Sequence, residues 1–309
     1  MPPISFESVV GGDKAALAAA LAEVERAPHE PATIELLTRA YDAPRGQVVG
    51  VTGPPGVGKS TLMGAVIAKL RAGGRTVGVI AVDPSSKLSG GALLGDRIRL
   101  ATDPHDAGVF VRSMAARDRL GGLAEITAAA MVLMRAVYDV VLIETVGVGQ
   151  SETDVAGAVD TVVFCVQPGS GDTLQFMKAG IVEIPDIVVV TKSDVGAAAR
   201  QACADARTAL HITGEGEAGA GWATQVLAVS TVTGEGIDQM IAAMDEHFAI
   251  LAAEGRLEAN RNAQAMQWLT AAVRDLFGRE GMRRAGELTL EPGESPFVRL
   301  AEVAATLDA

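Results

Sequence analysis

The chain has 309 residues, 49% of them hydrophobic and 4% aromatic, with a formal net charge of −12. That hydrophobic share excludes global disorder and suits one large α/β domain with helical additions, or two domains. The negative balance argues against a protein built to grip nucleic-acid backbone. The two cysteines, Cys165 and Cys203, stand at no metal or redox spacing, and Cys165 lies in the apolar run 162–166, where a buried reduced thiol is expected. The four histidines, His29, His105, His211 and His247, are scattered. No leader-like segment opens the sequence and no apolar run nears the ~20 residues of a membrane span, so a cytoplasmic protein with no membrane partner is expected.

Residues 1 to about 42 lack strand alternation. Apolar side chains return there at helical intervals, Leu17, Leu21 and Val24, then Ile34, Leu36, Leu37 and Tyr41, which predicts two helices joined at 28–31. After residue 46 the pattern becomes strand, helix, strand, with strands expected over 47–52, 76–82, 108–111, 139–143, 161–166, 187–190 and 226–229. Most are short, β-branched and apolar without alternation, as strands covered on both faces should be. Helical segments separate most of them, which predicts an α/β fold: a doubly wound, mainly parallel sheet. From residue 234 one helix carries Ile237, Met240, Ile241, Met244, Phe248 and Leu251, and a second carries Leu257, Met266, Leu269, Val273, Leu276 and Phe277. A short terminal helix runs through Val303 and Leu307. These readings divide the chain into an N-terminal helical extension (1–44), a central domain (45–250) and a C-terminal helical tail (251–309). The stripe Met266, Leu269, Val273 and Leu276 fits both a packed cap and an arm reaching a second subunit.

The segment that organises the chain is 53–60, GPPGVGKS, which matches G-x-x-x-x-G-K-[ST] at each fixed position. It follows an expected strand and precedes an expected helix, the context of a phosphate-binding loop. Its glycines let successive N–H groups turn inward, and the helix dipole favours an anion at the same spot. The expected binding set is Gly53, Pro55, Gly56, Val57, Gly58, Lys59, Ser60 and Thr61. Lys59 would reach the β- and γ-phosphates, and the Ser60 hydroxyl would join a Mg²⁺ shell.

Carboxylates follow at the ends of later elements. Asp83 closes the strand after the loop helix, and Asp96 stands at a helix start, able to act on a metal directly or through water. Glu144 ends the strand 139–143, with Gly147 three residues on. A Walker-B-type acid beside a γ-phosphate-sensing N–H would look like this. Ser60, Asp83, Asp96 and Glu144 are therefore the candidate metal set. Further on, Thr191-Lys192-Ser193-Asp194 reads as a variant of the N/T-K-x-D base motif. Asp194 can accept from both N1–H and the 2-amino group of guanine, whereas adenine would leave it unpaired. Lys192 would lie over the base, and Ser230-Thr231-Val232 resembles the last guanine-contacting loop of GTPases.

Taken together, GPPGVGKS, AVDPSS, SGGALLGDRIRL, ETVGVGQSETDVA, QPGSGDTLQFMKAGI and TKSD resemble, in that order, the MeaB/ArgK-type GTPases, over residues of about 10 to 280. The resemblance implies a SIMIBI-like P-loop fold and GTP/GDP with Mg²⁺. It also implies homodimers with a helical C-terminal arm, and a chaperone role toward an adenosylcobalamin-dependent acyl-CoA mutase, with its adenosyltransferase as a further partner. It makes 167–178 resemble a mobile switch, with Lys178 able to swing toward the nucleotide. Thr191 departs from the asparagine found in many members, which bears on guanine affinity. Two other functions stay open: a metallochaperone GTPase, which needs a Cys/His cluster, and a P-loop kinase, for which Asp83 would serve as base. Val148 follows Gly147 where many small GTPases place a glutamine, and the nearest is Gln150. With Lys59, Glu144, Lys178 and Gln150 as the catalytic candidates, slow unassisted turnover is expected, on the order of 10⁻⁴ to 10⁻² per second.

Overall fold

The structure, a computed structural model, describes residues 4–84, 103, 105–116, 125–145, 155–169, 183–213 and 221–308. Among the described residues, seven strands form one sheet: β1 (Gln47–Thr52), β2 (Val77–Pro84), β3 (Val109–Ala116), β4 (Val140–Glu144), β5 (Thr161–Val166), β6 (Ile187–Val190) and β7 (Gln225–Ala228). Their order is β3-β2-β4-β1-β5-β6-β7, and each pairing is parallel. The expected doubly wound sheet is therefore present, and among the described residues it is wholly parallel where a mainly parallel one was expected. Strands β1, β5 and β6 match the sequence reading residue for residue. Strand β3 runs well past the expected 108–111, because Arg112 and Ser113 interrupt the apolar run without interrupting the ladder; Arg112 pairs with Glu25 on the sheet's flank.

Alternation along each strand supplies both faces. On one, Val48, Ile80, Val141 and Ile143 pack with the N-terminal helices and with α5 (Glu125–Val137); on the other, Val49, Val51, Val79 and Leu142 pack with Leu62, Met63, Val66 and Ile67 of α4 (Lys59–Ala72). Sequential strands depart from β1 in both directions, so the P-loop between β1 and α4 lies at the reversal point of the sheet.

Three N-terminal helices are present where two were expected: α1 (Phe6–Val10), α2 (Lys14–Arg26) and α3 (Pro31–Asp42). Ser5 caps the first, and Gly12, at φ 85°, turns the chain into Asp13, which caps the second with its carboxylate. After β6 come α6 (Ala197–Thr213), α7 (Ile237–Ala253), α8 (Arg256–Ala285) and α9 (Pro296–Asp308). Helix α8 breaks at Gly278, whose φ of 65° and ψ of −163° lie outside helical geometry.

The C-terminal helices pack on their own chain. Leu269 and Val273 are fully buried against Leu290, Leu300, Val303 and Leu307, while Leu276 keeps 43% of its surface exposed. With Met266 partly buried on the same cluster, three of the four residues of the expected stripe are consumed within the monomer. Helix α8 is also pinned near its start: Arg261 makes two bonds, of 2.8 and 2.7 Å, to Asp160 at the foot of β5, and a third to the Gly46 carbonyl. Asp160 in turn accepts the Val48 N–H at 2.8 Å.

Candidate nucleotide site

The loop between β1 and α4 folds as its composition requires. Gly53, Gly56 and Gly58 have φ of 131°, 77° and 102°. A Cβ on Gly53 would sit 2.3 Å from the Cys165 carbonyl oxygen, so the first glycine is demanded by backbone contact as well as by dihedral. Cys165 itself is a free buried thiol, pushed up to about 12 by burial, and stays protonated, as expected from the apolar run. Gly58 caps the helix in the left-handed conformation, so Lys59, Ser60 and Thr61 form its first turn. Lys59 is buried and its ammonium donates to the Gly53 and Pro54 carbonyls at 2.7 and 3.1 Å, which folds the cation over the loop's mouth.

Glu144 comes from β4, which lies between β1 and β2. Its partners are Val51 and Ala81, so it emerges beside the P-loop strand at the carboxyl edge. Ser60 Oγ donates to Glu144 Oε1 at 2.7 Å across 84 residues of sequence. A hydroxyl and a carboxylate are the hard oxygen ligands that Mg²⁺ takes, and the pair fits such an ion. The backbone of Asp83 lies two residues beyond Ala81 on β2, at the same edge; its side chain is outside the description. Asp96, Gly147, Gln150 and Lys178 fall outside the described residues. Thr145, next to Glu144, donates its hydroxyl to Thr52 Oγ1 at 2.8 Å and ties the ends of β4 and β1 together.

On the other side of β1, the ends of β6 and β7 carry the residues expected to meet a base. Asp194 sits in a short 3₁₀ turn (Ser193–Val195), with its Oδ1 accepting the Ser230 hydroxyl at 2.6 Å. Ser230 Oγ also accepts the N–H groups of Val232 and Thr233, each at 3.2 Å, so one buried serine shapes its loop and holds the carboxylate. Thr231 is exposed and Val232 keeps 82% of its surface in solvent. Thr191 Oγ1 lies 2.8 Å from the Val57 carbonyl and 3.1 Å from that of Val166, bracing the P-loop with a hydroxyl in the place of an amide. Lys192 reaches the Gly56 carbonyl at 3.3 Å and Gln167 Oε1 at 2.5 Å. The motif residues thus meet as two half-sites on either side of β1. The sequence reading did not single out Thr52, Thr145 or the bond made by Gln167. The one signal for them is a polar residue at the carboxyl end of an otherwise apolar strand.

A phosphate cradle at the switch point of a parallel sheet, with an acid beside the loop serine and an aspartate loop two strands away, defines a P-loop nucleotide-binding protein. The model of the family "Methylmalonyl Co-A mutase-associated GTPase MeaB" matches residues 15–283. A Caulobacter vibrioides protein described as a putative GTPase is 39% identical over 315 residues, covering 99% of this chain and 96% of that one. The GTPase ArgK of Escherichia coli is 37% identical, covering 90% of this chain and 87% of its own. A crystal structure described as a LAO/AO transport system kinase superposes with a TM-score of 0.70 at 30% identity, covering 98% and 96%. The chain belongs to the MeaB/ArgK family of P-loop GTPases.

Proposed function

We propose that this protein binds GTP with Mg²⁺ and hydrolyses it slowly to GDP and phosphate. We further propose that it uses the cycle as a cytoplasmic chaperone, gating cofactor loading of an adenosylcobalamin-dependent acyl-CoA mutase of the methylmalonyl-CoA type. The observation that carries the reading is the junction of two half-sites on one sheet edge: Ser60 against Glu144, and Asp194 against Ser230. The mutase as partner rests on the family's own description, and the adenosyltransferase on the resemblance alone.

In this reading the P-loop N–H groups and Lys59 bind the phosphates. Ser60 and Glu144, with Asp83 and Asp96, would hold the metal, which would supply positive charge against the phosphates. Gly147 senses the γ-phosphate. Asp194 selects guanine, with Lys192 over the base and 230–232 closing the pocket. Lys178 or Gln150 completes the site when the mutase docks, so slow turnover is expected of the protein alone. A homodimer through the C-terminal helices has the exposed Leu276 as its motivation.

The test is phosphate release from GTP and from ATP, with Mg²⁺ and no acceptor, with and without a methylmalonyl-CoA mutase. Release from GTP, absent from ATP and accelerated at least about tenfold by the mutase, is expected. Release that waits for an added phosphoryl acceptor would favour the kinase reading, to which the description of the superposed structure belongs. A GTPase rate indifferent to the mutase would remove the chaperone role.

A further inference from the structure

The two residues that lead the base loop each bond in two directions. Thr191 joins the Val57 carbonyl of the P-loop to the Val166 carbonyl at the end of β5. Lys192 joins the Gly56 carbonyl of the P-loop to Gln167, the residue that follows β5. Phosphate loop, β5 end and base loop are therefore cross-linked by two neighbouring side chains. Thr191 is buried and needs no further support. Lys192 is exposed, and among the described residues it is the one non-glycine with a positive φ, 54°. The left-handed conformation is disfavoured for an L-residue, whose Cβ crowds the backbone there. An exposed lysine in it, with a bond of 3.3 Å to Gly56, would exchange that bond for water unless its ammonium were fixed elsewhere. The 2.5 Å bond to the Gln167 amide oxygen is the fixing contact. An ionised donor makes it stronger than a neutral pair, and its acceptor stands on the end of a fully buried strand.

We propose that Gln167 is a positioning residue for guanine-nucleotide binding: it holds Lys192 in its strained conformation and so links the base half of the site to the phosphate half, without itself touching the nucleotide. The inference rests on the guanine reading above and adds a residue outside the P-loop and T-K-x-D motifs.

Calorimetric binding of GDP and of pyrophosphate to the full-length protein tests it. The variants are Gln167→Leu, Gln167→Glu, Lys192→Ala and the Gln167→Leu/Lys192→Ala double. Gln167→Leu should weaken GDP about three- to tenfold and pyrophosphate less than about twofold, because only the base half is released. Gln167→Glu keeps an acceptor for the ammonium and should stay within about twofold of wild type. The double variant should bind GDP no more weakly than Lys192→Ala alone, since the lost bond is the same one. Unchanged GDP affinity in Gln167→Leu, equal losses of GDP and pyrophosphate, or additive losses in the double variant would each overturn the proposal. Wild-type GDP and ADP affinities are measured alongside. Equal values there refute the guanine reading itself, whereas a retained preference with an insensitive Gln167→Leu refutes only this inference.

Discussion

At the scale of single residues, the site divides into groups that bind and groups that act. Glu144 meets Ser60 at 2.7 Å, on the side of the P-loop where the proposed γ-phosphate and metal would sit. Glu144→Ala should therefore lower GTP turnover at least about a hundredfold while weakening GDP, which lacks that phosphate, far less. Single-turnover hydrolysis beside GDP titration reads both, and unchanged turnover would make Glu144 a structural residue. Asp194→Ala should erase most of the preference for GDP over ADP, about 1–3 kcal/mol for one acceptor left unpaired by adenine. The P-loop, Asp194 and Glu144 were legible in the sequence because each motif is contiguous and carries its own chemistry. Gln167 with Lys192, Thr52 with Thr145 and Asp160 with Arg261 were not, because the partners are 25, 93 and 101 residues apart. Strand order, which short motifs do not encode, brings them together.

At the scale of elements, two helices are fixed to the sheet by buried polar contacts. Arg261 and Asp160 keep 12% and 2% of their side-chain surface exposed, so removing one leaves the other's charge uncompensated. Asp160→Ala should cost about 3–5 kcal/mol, read from the shift in urea midpoint; a loss under about 1 kcal/mol would mean that water replaces the pair. Helix α7 is held by His247, whose Nδ1 meets Thr161 Oγ1 at 2.9 Å and whose Nε2 faces Asp186 Oδ1 at 3.3 Å, with the Trp222 ring tilted against it at 5.0 Å. Burial, helped by Arg256, lowers the imidazole to about 4. A depressed value means that the folded state disfavours the proton: the contribution is intact above the ordinary value near 6.5 and is lost as pH falls toward 4, on the order of 3 kcal/mol. Asp186 works in the opposite sense. Its side chain retains 29% exposure, yet burial pushes its carboxyl upward, so its contribution is present in acid and fades as pH rises. Stability measured from pH 7 to 4.5 should fall less steeply in His247→Gln than in wild type, and more steeply in Asp186→Asn. Parallel profiles would show that neither group titrates against folding.

At the scale of the whole molecule, the tail's packing changes how a dimer must be tested. Removing residues after 255 would take Arg261 from Asp160 and expose α3 and α5, so a truncated chain reports on folding rather than on assembly. The sequence stripe was legible as helical, but its periodicity could not say which neighbour would cover it. The structure covers Leu269 and Val273 with α9 and leaves Leu276 at the surface. Leu276→Asp should therefore separate the proposed dimer into soluble monomers that still bind GDP, as followed by sedimentation velocity. A variant and wild type that sediment alike would exclude this contact.

The meeting of first and last segments has a consequence in time. Thr38 on α3 shares a hydrogen bond of 3.0 Å with Ser295, 257 residues later, and Phe297 of α9 belongs to the same apolar cluster as Leu17, Leu21 and Leu37. Ribosomes add roughly 5–20 residues per second, so α3 would wait on the order of ten to fifty seconds for α9 to emerge. Through that interval the apolar side chains that Phe297 covers in the finished fold would lack that cover. The delay is long enough for a holdase to bind, and a synonymous change that slows translation near the 3′ end should deepen the demand for one.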